Sequence, residues 1–499
     1  MHTYNQPNKI KARHLVIKEA VENLTVNRAS SAVVKRNYVR DIYDYFINMD
    51  ELSPNKDEAG KIDQKYIVEW ERLHDNNVEK KSPNDLTVCY LCGPEPNNDF
   101  QEFINFGILP QNIWAFENKK ENYAEALESY TDGEYPQPRI IKQKLESFFE
   151  NTPKRFDIVY FDACSTLVST QHSLKCLKMM FQYNRLNSIG VLITNFSAPD
   201  LKSDNSDLIQ LMALYLYFKE SDSSYITIEN ARITNCVYLK LIEKINENFN
   251  EFYDKFISAI IRDLGSILVP IQKIKINSYF NQLLISNEDK KDFNYTEIYK
   301  KAKNNNLAKF IFTAKYLKQR NVWSNTLELF FNDLGTLDSL FDAFKMLIEL
   351  QNGETNYKNL DEILAYFEGK EIYQFLDNVH KNMYFDIVFN QITYPMHYNG
   401  KLSWRCDYVA KNNRMFMDLT FFDECRYIYE WLPAMHQIKS AFLNKSWQYV
   451  FRFALDGLVK SRKKYNNELF FQGTVVSDQE EFGITEIKPR HTIGGNKHG

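Results

Sequence analysis

Short apolar runs alternate with amphipathic stretches between residues 85 and 197. The runs at 86–92, 112–117, 155–162 and 190–196 are rich in aliphatic and aromatic residues, and the stretches between them have helical spacing. Strands that alternate with helices in this way predict parallel βαβ units. We therefore expect an α/β fold with a doubly wound, mostly parallel sheet in this part of the chain.

The segments that flank this core have other patterns. Residues 8–82 carry apolar residues at intervals of three and four and predict a helical amino-terminal segment. Residues 224–229 and 233–242 resemble strands, so we expect two further strands of the sheet there. Helical patterns then dominate to about residue 390.

The pattern changes again near Gln391. Strand-like runs at 403–410 and 414–422 are separated by a short segment with two asparagines. Asparagine favours the positive φ of tight hairpin turns, so a β-hairpin is predicted, with helix after it. The tail from Thr474 lacks apolar periodicity, and we expect it to be flexible unless a partner orders it.

These patterns divide the chain into four regions. They are a helical segment at 1–83, the α/β domain at 84–245, a helical domain at 246–390, and a mixed hairpin and helix region with a flexible tail at 391–499. A chain of 499 residues is too long for one compact core, which favours several domains.

Composition narrows the classes of protein. A hydrophobic content of 44% with 25% charged residues is typical of a globular protein. No apolar run approaches the length of about 18 residues that suggests a membrane span, and the first residues have no signal core, which predicts a cytoplasmic protein without a membrane partner. The net charge of −4 gives no global attraction to nucleic acid. The seven scattered cysteines predict neither a disulfide framework nor a metal site.

Glycine and two acids stand where the predicted strands end. The first strand breaks at Gly93 and the second ends on Glu117. A short third strand is expected at 138–141, and the fourth strand ends on Asp162. Ligands of doubly wound sheets bind at the carboxyl ends of the strands. We therefore expect these three residues on one edge of the sheet.

This arrangement resembles the class I S-adenosylmethionine-dependent methyltransferases, and the resemblance is confined to residues 84–245. It implies that Gly93 lies under the methionine part of the cofactor, that Glu117 binds the ribose hydroxyls, and that Asp162 faces the cofactor amine or the substrate. The acid that commonly meets the adenine is replaced after the third predicted strand, and Gln143 becomes the candidate cofactor-binding residue there.

Two of the candidates have alternative interpretations. Glu117 could instead cap the helix that follows it, because negative charge is favoured at that end of a helix. Cys164 resembles the cysteine of cytosine-C5 methyltransferases, whose thiolate attacks the pyrimidine ring, so Asp162 and Cys164 are the candidate catalytic residues. The proline of the related Asp-Ala-Pro-Cys-Ser motif is missing here, and the alternative for Cys164 is a small buried residue.

The sequence thus predicts a methyltransferase that acts on or near nucleic acid. Basic residues at 35, 36 and 40 and a basic stretch at 299–322 could face nucleic acid or merely solvent. The alternative is a catalytically silent methyltransferase-like scaffold in a multi-protein assembly, for example in bacterial anti-phage defence, with protein partners at the carboxyl-terminal region. Pro94 and Pro96 favour the scaffold, because proline has no amide donor for a ligand.

Overall fold

The computed structural model describes residues 6–131, 135, 139–168, 173–220, 236–277, 294–302, 305–322, 324–334, 337–352, 354, 391–431, 444–462 and 487–494. Within these residues, eight strands form one sheet in the order β3-β2-β1-β4-β5-β7-β6-β8. The strands are β1 (Val88–Leu91), β2 (Ile113–Phe116), β3 (Arg139–Ile141), β4 (Phe156–Asp162), β5 (Leu186–Ser197), β6 (His397–Ala410), β7 (Asn413–Asp423) and β8 (His491–Ile493).

The first five strands confirm the predicted fold class. All four pairings among them are parallel, and the chain reverses its direction of winding between β1 and β4. Strands β1, β4 and β5 are almost fully buried, as expected for parallel strands covered on both faces. The connecting helices are α6 (Asn97–Asn105), α7 (Lys120–Thr131), α8 (Leu145–Asn151) and α9 (Ser173–Gln182).

In the described residues before the sheet there are five α-helices, in agreement with the predicted helical segment. They are α1 (Pro7–Leu24), α2 (Arg28–Ser31), α3 (Tyr38–Ile47), α4 (Pro54–Gly60) and α5 (Gln64–Val78). Helix α1 buries Ala12, Val16, Ile17 and Ala20 completely. It contacts strands β5 to β8 and helix α6, so it is an integral part of the fold.

The prediction of strands after β5 is wrong where the structure describes that segment. Residues 236–247 form a helix, α11 (Cys236–Glu247), which follows α10 (Ser206–Glu220). Tyr238 and Ile245 are buried while Leu239 is exposed, so the apolar positions have the helical rather than the alternating period. Residues 221–235 lie outside the described part of the chain, and the predicted strand at 224–229 lies there too.

The predicted hairpin is confirmed, and it extends the main sheet. Lys411 and Asn412 have φ values of 48° and 66° and form the two-residue turn between β6 and β7. Strand β7 pairs antiparallel with β5, for example Leu192 with Thr420. One sheet therefore joins strands of the regions at 84–245 and 391–499, whose boundaries stay predictions.

Further helices lie between β5 and the hairpin and after it. They are α12 (Phe249–Asp263) with a π-helical continuation (Leu264–Leu268), α13 (Val269–Ile276), α14 (Tyr295–Lys301), α15 (Asn306–Gln319), α16 (Ser324–Leu334), α17 (Leu337–Gln351), α18 (Arg426–Tyr429) and α19 (Lys445–Arg462). None of the described helices is both long and apolar enough to cross a membrane.

Part of the tail is ordered by its own chain, which corrects the expectation of a flexible tail. Strand β8 pairs in parallel with β6, with Cys406 opposite His491 and Tyr408 opposite Ile493. Arg490, just before β8, lies within 2.6 Å of Asp418 in an ion pair. The remainder of the tail, residues 474–486 and 495–499, lies outside the described residues.

Candidate functional site

A cleft of about 490 Å³ opens at the carboxyl ends of the parallel strands. All five predicted site residues line it: Gly93, Glu117, Gln143, Asp162 and Cys164. The cleft lies where the winding direction reverses between β1 and β4, which is the place where doubly wound sheets bind ligands. The structure therefore brings the candidates together, and their roles stay predictions.

Gly93 directly follows β1 with a backbone that favours glycine. Its φ is 57°, and a Cβ added to it would meet no heavy atom within 4 Å. The left-handed conformation thus favours glycine here, whereas crowding does not demand it. Leu91 pairs with Phe116, and the Cys92 amide donates to the Phe116 carbonyl at 3.1 Å, so Gly93 and Glu117 leave neighbouring strand ends.

The Glu117 carboxylate makes local contacts at the start of α7. One oxygen accepts the Lys119 backbone amide at 2.7 Å, and the other accepts the Asn122 side chain at 3.3 Å. These bonds agree with the capping interpretation. Each carboxylate oxygen can accept a second hydrogen bond, so a ribose hydroxyl is compatible with the same geometry.

Gln143 lies beside an apolar part of the cleft. Its backbone amide donates to the Ile141 carbonyl at 3.0 Å, which turns the chain sharply after β3. Phe116 and Leu145 are buried residues that line the cleft on this side. The cleft next to Gln143 is therefore partly apolar.

Asp162 is paired with a residue that the sequence analysis did not identify. The Nζ of Lys9 lies 2.7 Å from Oδ2 of Asp162, with side-chain exposures of 11% and 5%. Burial alone would lower the pKa of Lys9, but the Asp162 carboxylate outweighs it and raises that pKa. Burial alone would raise the pKa of Asp162, but Lys9 outweighs it and holds that pKa below the usual range. Both groups are therefore ionised at neutral pH.

The other oxygen of Asp162 is held by strand β5. Nδ2 of Asn195 donates to Oδ1 of Asp162 at 2.9 Å and to the Tyr408 hydroxyl at 2.8 Å. Asn195 and Tyr408 are both buried, and Tyr408 belongs to β6. The carboxylate is thus oriented by side chains from α1, β5 and, through Asn195, β6.

Cys164 is exposed at the cleft, which contradicts the interpretation of a small buried residue. Its φ is 50°, an uncommon value for a residue other than glycine. Its thiol donates to Oδ1 of Asp162 at 3.1 Å, and the negative charge of Asp162 raises the pKa of the thiol to about 12. The thiol is therefore protonated at neutral pH, which makes it a poor nucleophile.

A second ion pair also lines the cleft. Nε of Arg13 lies 2.5 Å from Oδ1 of Asp99, and both side chains are 7% exposed. Burial raises the pKa of Asp99 to about 6 even though Arg13 opposes that shift. The signal for Lys9 and Arg13 was their position in α1: they lie one turn apart on the face that also carries Ala12 and Val16.

The basic segments that could have faced nucleic acid contain paired cations. Arg40 donates to Glu71 at 2.7 Å, and Arg36 lies within 2.8 Å of Asp75. In the stretch at 299–322, Lys301 pairs with Glu297 and Glu354, and Lys315 pairs with Asp338. These contacts favour the interpretation of both segments as structural helix surfaces.

The described residues contain no group of three or more His, Cys, Asp or Glu side chains that could hold a metal ion.

Comparison with known proteins finds partial structural matches. No protein-family model and no curated protein matches the sequence. Among solved structures, an S-adenosylmethionine-dependent methyltransferase from Clostridium acetobutylicum matches with 20% identity and a TM-score of 0.19, over 32% of this chain and 57% of that chain. A putative caffeoyl-CoA O-methyltransferase from Staphylococcus aureus matches with 16% identity and a TM-score of 0.18, over 46% of this chain and 90% of that chain. The chain thus spans just over half the length of the first of these proteins.

Proposed function

We propose that the cleft binds S-adenosylmethionine and that the protein is a methyltransferase. The observation that carries this proposal is the meeting of Gly93, Glu117, Gln143 and Asp162 in one cleft at the reversal point of the sheet. These are the positions that the resemblance assigns to the methionine loop, the ribose, the adenine side and the cofactor amine or substrate.

The residues of the cleft fit such a cofactor. A volume of about 490 Å³ is in the range of small-molecule sites. Gly93 leaves open space for the methionine part, Glu117 retains capacity for a ribose hydroxyl, and the apolar wall of Phe116 and Leu145 suits the adenine. When bound, the cofactor supplies an electrophilic methyl group.

Asp162 and Lys9 define the acceptor side of the cleft in this proposal. A carboxylate whose pKa is lowered is a weak proton acceptor, so Asp162 does not serve as a strong base. The ion pair instead presents an ammonium and a carboxylate in fixed positions, which orients an acceptor group that has both donor and acceptor atoms. Positioning is then the main contribution of these residues to the transfer.

Nucleic acid as the acceptor stays a prediction from the sequence. Arg36, Arg40, Lys301 and Lys315, four of the cations on which that prediction depended, are held in ion pairs. A role in anti-phage defence and protein partners at residues 391–499 likewise stay predictions.

A catalytically silent scaffold is the second candidate, and two observations favour it. The loop that should approach the methionine part contains Pro94 and Pro96, which have no amide donors, and Glu95, which adds negative charge. The Glu117 carboxylate also has a structural contact with the start of α7 that explains its presence without a cofactor.

Calorimetric titration of the full-length protein distinguishes the two candidates. S-adenosylmethionine and S-adenosylhomocysteine are each titrated into the protein, with ATP as a ligand that shares only the adenosine part. The methyltransferase proposal expects saturable binding of the first two ligands and weaker binding of ATP. Absence of binding at millimolar concentrations of both cofactor forms would favour the scaffold.

A further inference from the structure

The carboxyl-terminal strand meets the first turn of α1. Gly494 directly follows β8 and has a φ of 83°. A Cβ added to Gly494 would lie 2.6 Å from Cγ of Asn8, so the Asn8 side chain packs directly on the backbone of this glycine. Asn8 immediately precedes Lys9, the residue that pairs with Asp162.

Buried charges fix the strand that carries Gly494. The Arg490 guanidinium is 4% exposed and pairs with Asp254 and with Asp418, the latter at 2.6 Å. It also donates to the Cys406 carbonyl at 2.6 Å, which joins it to the backbone of β6. The start of the segment is thus held to α12, β6 and β7 by groups that are largely buried.

Strand β8 also pairs with β6, whose Tyr408 is hydrogen-bonded to Asn195, the second side chain that holds Asp162. Ile493 of β8 pairs with Tyr408 of β6. The Tyr408 hydroxyl accepts a hydrogen bond from Asn195, whose amide also donates to Asp162. Strand β8 therefore contacts both supports of the Asp162 carboxylate. One is the first turn of α1, which carries Lys9, and the other is Tyr408 of β6, which is hydrogen-bonded to Asn195.

We propose that β8 completes the acceptor side of the cleft, with Gly494 acting through Asn8 to position Lys9 against Asp162. Arg490 anchors the strand that delivers Gly494. The meaning of this arrangement for methyl transfer rests on the proposed function, whereas the coupling between Gly494 and Lys9 can be tested without any cofactor. Gly494 is a positioning residue, since it does not line the cleft.

The test measures the accessibility of Lys9 by pulse acetylation of the full-length protein and mass spectrometry. Lys9 is nearly buried in an ion pair, while Lys11 on the same helix is exposed and serves as an internal reference. In Gly494→Ala, the added Cβ displaces Asn8, and the Lys9 to Lys11 labelling ratio should rise about tenfold through local opening. Gly60→Ala controls for a Cβ added in open space, and Gly107→Ala, at a φ of 87°, controls for the backbone strain that alanine adds at a positive φ.

A second variant separates positioning from general loosening. Asn8→Ala removes the contact without adding strain, and we expect about a threefold rise in the ratio. In the double variant, the new Cβ has no Asn8 side chain to displace, and only the backbone strain of alanine at a φ of 83° adds to the effect of Asn8→Ala, so the ratio should lie well below the product of the two single effects. This non-additivity is the signature of one shared contact.

Two outcomes overturn the proposal. One is an unchanged labelling ratio in folded Gly494→Ala or, where that variant does not fold, in Asn8→Ala. The other is a double variant whose ratio is the product of the two single effects, which would mean independent loosening. Either result is independent of cofactor titration, so failure of the positioning role and failure of the methyltransferase proposal are distinguishable.

Discussion

The Nζ of Lys9 lies 2.7 Å from Oδ2 of Asp162, so the first turn of α1 neutralises the carboxylate that ends β4. The two residues are far apart in the sequence and come together because α1 packs against strands β5 to β8. The acid that the resemblance assigns to the cofactor amine or the substrate is therefore one half of a nearly buried ion pair. This pairing decides the electrostatics at this end of the cleft.

Removal of the Lys9 charge should destabilise the protein. Lys9→Met leaves the nearly buried Asp162 without its cation, and breaking a buried pair in this way costs about 3–5 kcal/mol. The free energy of unfolding, measured in urea at pH 7, is compared with that of Lys11→Met, which changes an exposed residue of the same helix. A loss no larger than that of the control would contradict the importance of the pair.

The same variant should show a characteristic dependence on pH. Because the pKa of Asp162 is lowered in the folded protein, its pairing contributes stability above the unfolded pKa of about 3.9 and loses it as the pH falls further. The difference between wild type and Lys9→Met should therefore be largest near neutral pH and shrink in acid. A difference that is constant from pH 7 to pH 3 would argue against charge as the cause.

Cys164 should be an unreactive thiol whose reactivity depends on Asp162. With a pKa of about 12 it is almost entirely protonated at pH 8, so alkylation by iodoacetamide should be slow despite its exposure. Asp162→Asn removes the negative charge that raises this pKa, and the alkylation rate should increase by about tenfold for each unit by which the pKa falls. Mass spectrometry of the Cys164 peptide gives the rate.

The buried Cys176 is an internal control for that experiment, since its labelling reports loss of structure rather than a change of pKa. Wild-type Cys164 that reacts as fast as a free cysteine would restore the nucleophile interpretation. Equal rates in wild type and Asp162→Asn would show that Asp162 does not set the reactivity of the thiol.

The site residues at the ends of strands were predictable from the sequence, whereas Lys9, which comes from a helix distant in the sequence, was not. Gly93, Glu117 and Asp162 follow directly from the ends of apolar runs, because a parallel sheet brings such ends to one edge. Lys9 belongs to a helix whose place on the sheet depends on tertiary packing, which periodicity does not encode. The one local indication that this helix packs at the site was the pair of charged residues, Lys9 and Arg13, on its apolar face.

The last strands of the sheet illustrate a second limit. The pattern at 233–242 predicts a strand, but the described residues of this run belong to the helix Cys236–Glu247. The helical period is visible only when a longer stretch of sequence is considered. The hairpin was predicted from its asparagine turn, whereas its pairing with β5 was not. A turn signal is local, while the choice of a partner strand depends on the whole core.

Asp99 should make stability fall as the pH rises from about 4 to 6. Its folded pKa of about 6 exceeds the unfolded value of about 3.9, so the protonated form is favoured in the folded protein. The stability present below the unfolded pKa is lost as the pH rises through the folded pKa, by about 3 kcal/mol in total.

Asp99→Asn, which cannot titrate, tests this contribution through the unfolding free energy between pH 4 and pH 7. Asp423 has a similar pKa of about 6 and remains in both proteins, so the difference between the two pH profiles isolates Asp99. Parallel profiles would mean that Asp99 titrates at its ordinary pKa, because the ion pair with Arg13 lowers that pKa as much as burial raises it.

The role of Glu117 separates an active site from a structural turn. If the carboxylate binds ribose hydroxyls, Glu117→Ala should weaken binding of S-adenosylhomocysteine by about 1.5–3 kcal/mol, the scale of hydrogen bonds to a charged group. Glu121→Ala is the matched control, because Glu121 lies in the first turn of α7 and does not line the cleft. If Glu117 only caps the turn before α7, its loss should cost about 1 kcal/mol of stability and leave the affinity unchanged. Calorimetry and urea unfolding on the same two variants give both quantities, and a loss of stability without a loss of affinity would assign Glu117 to the turn.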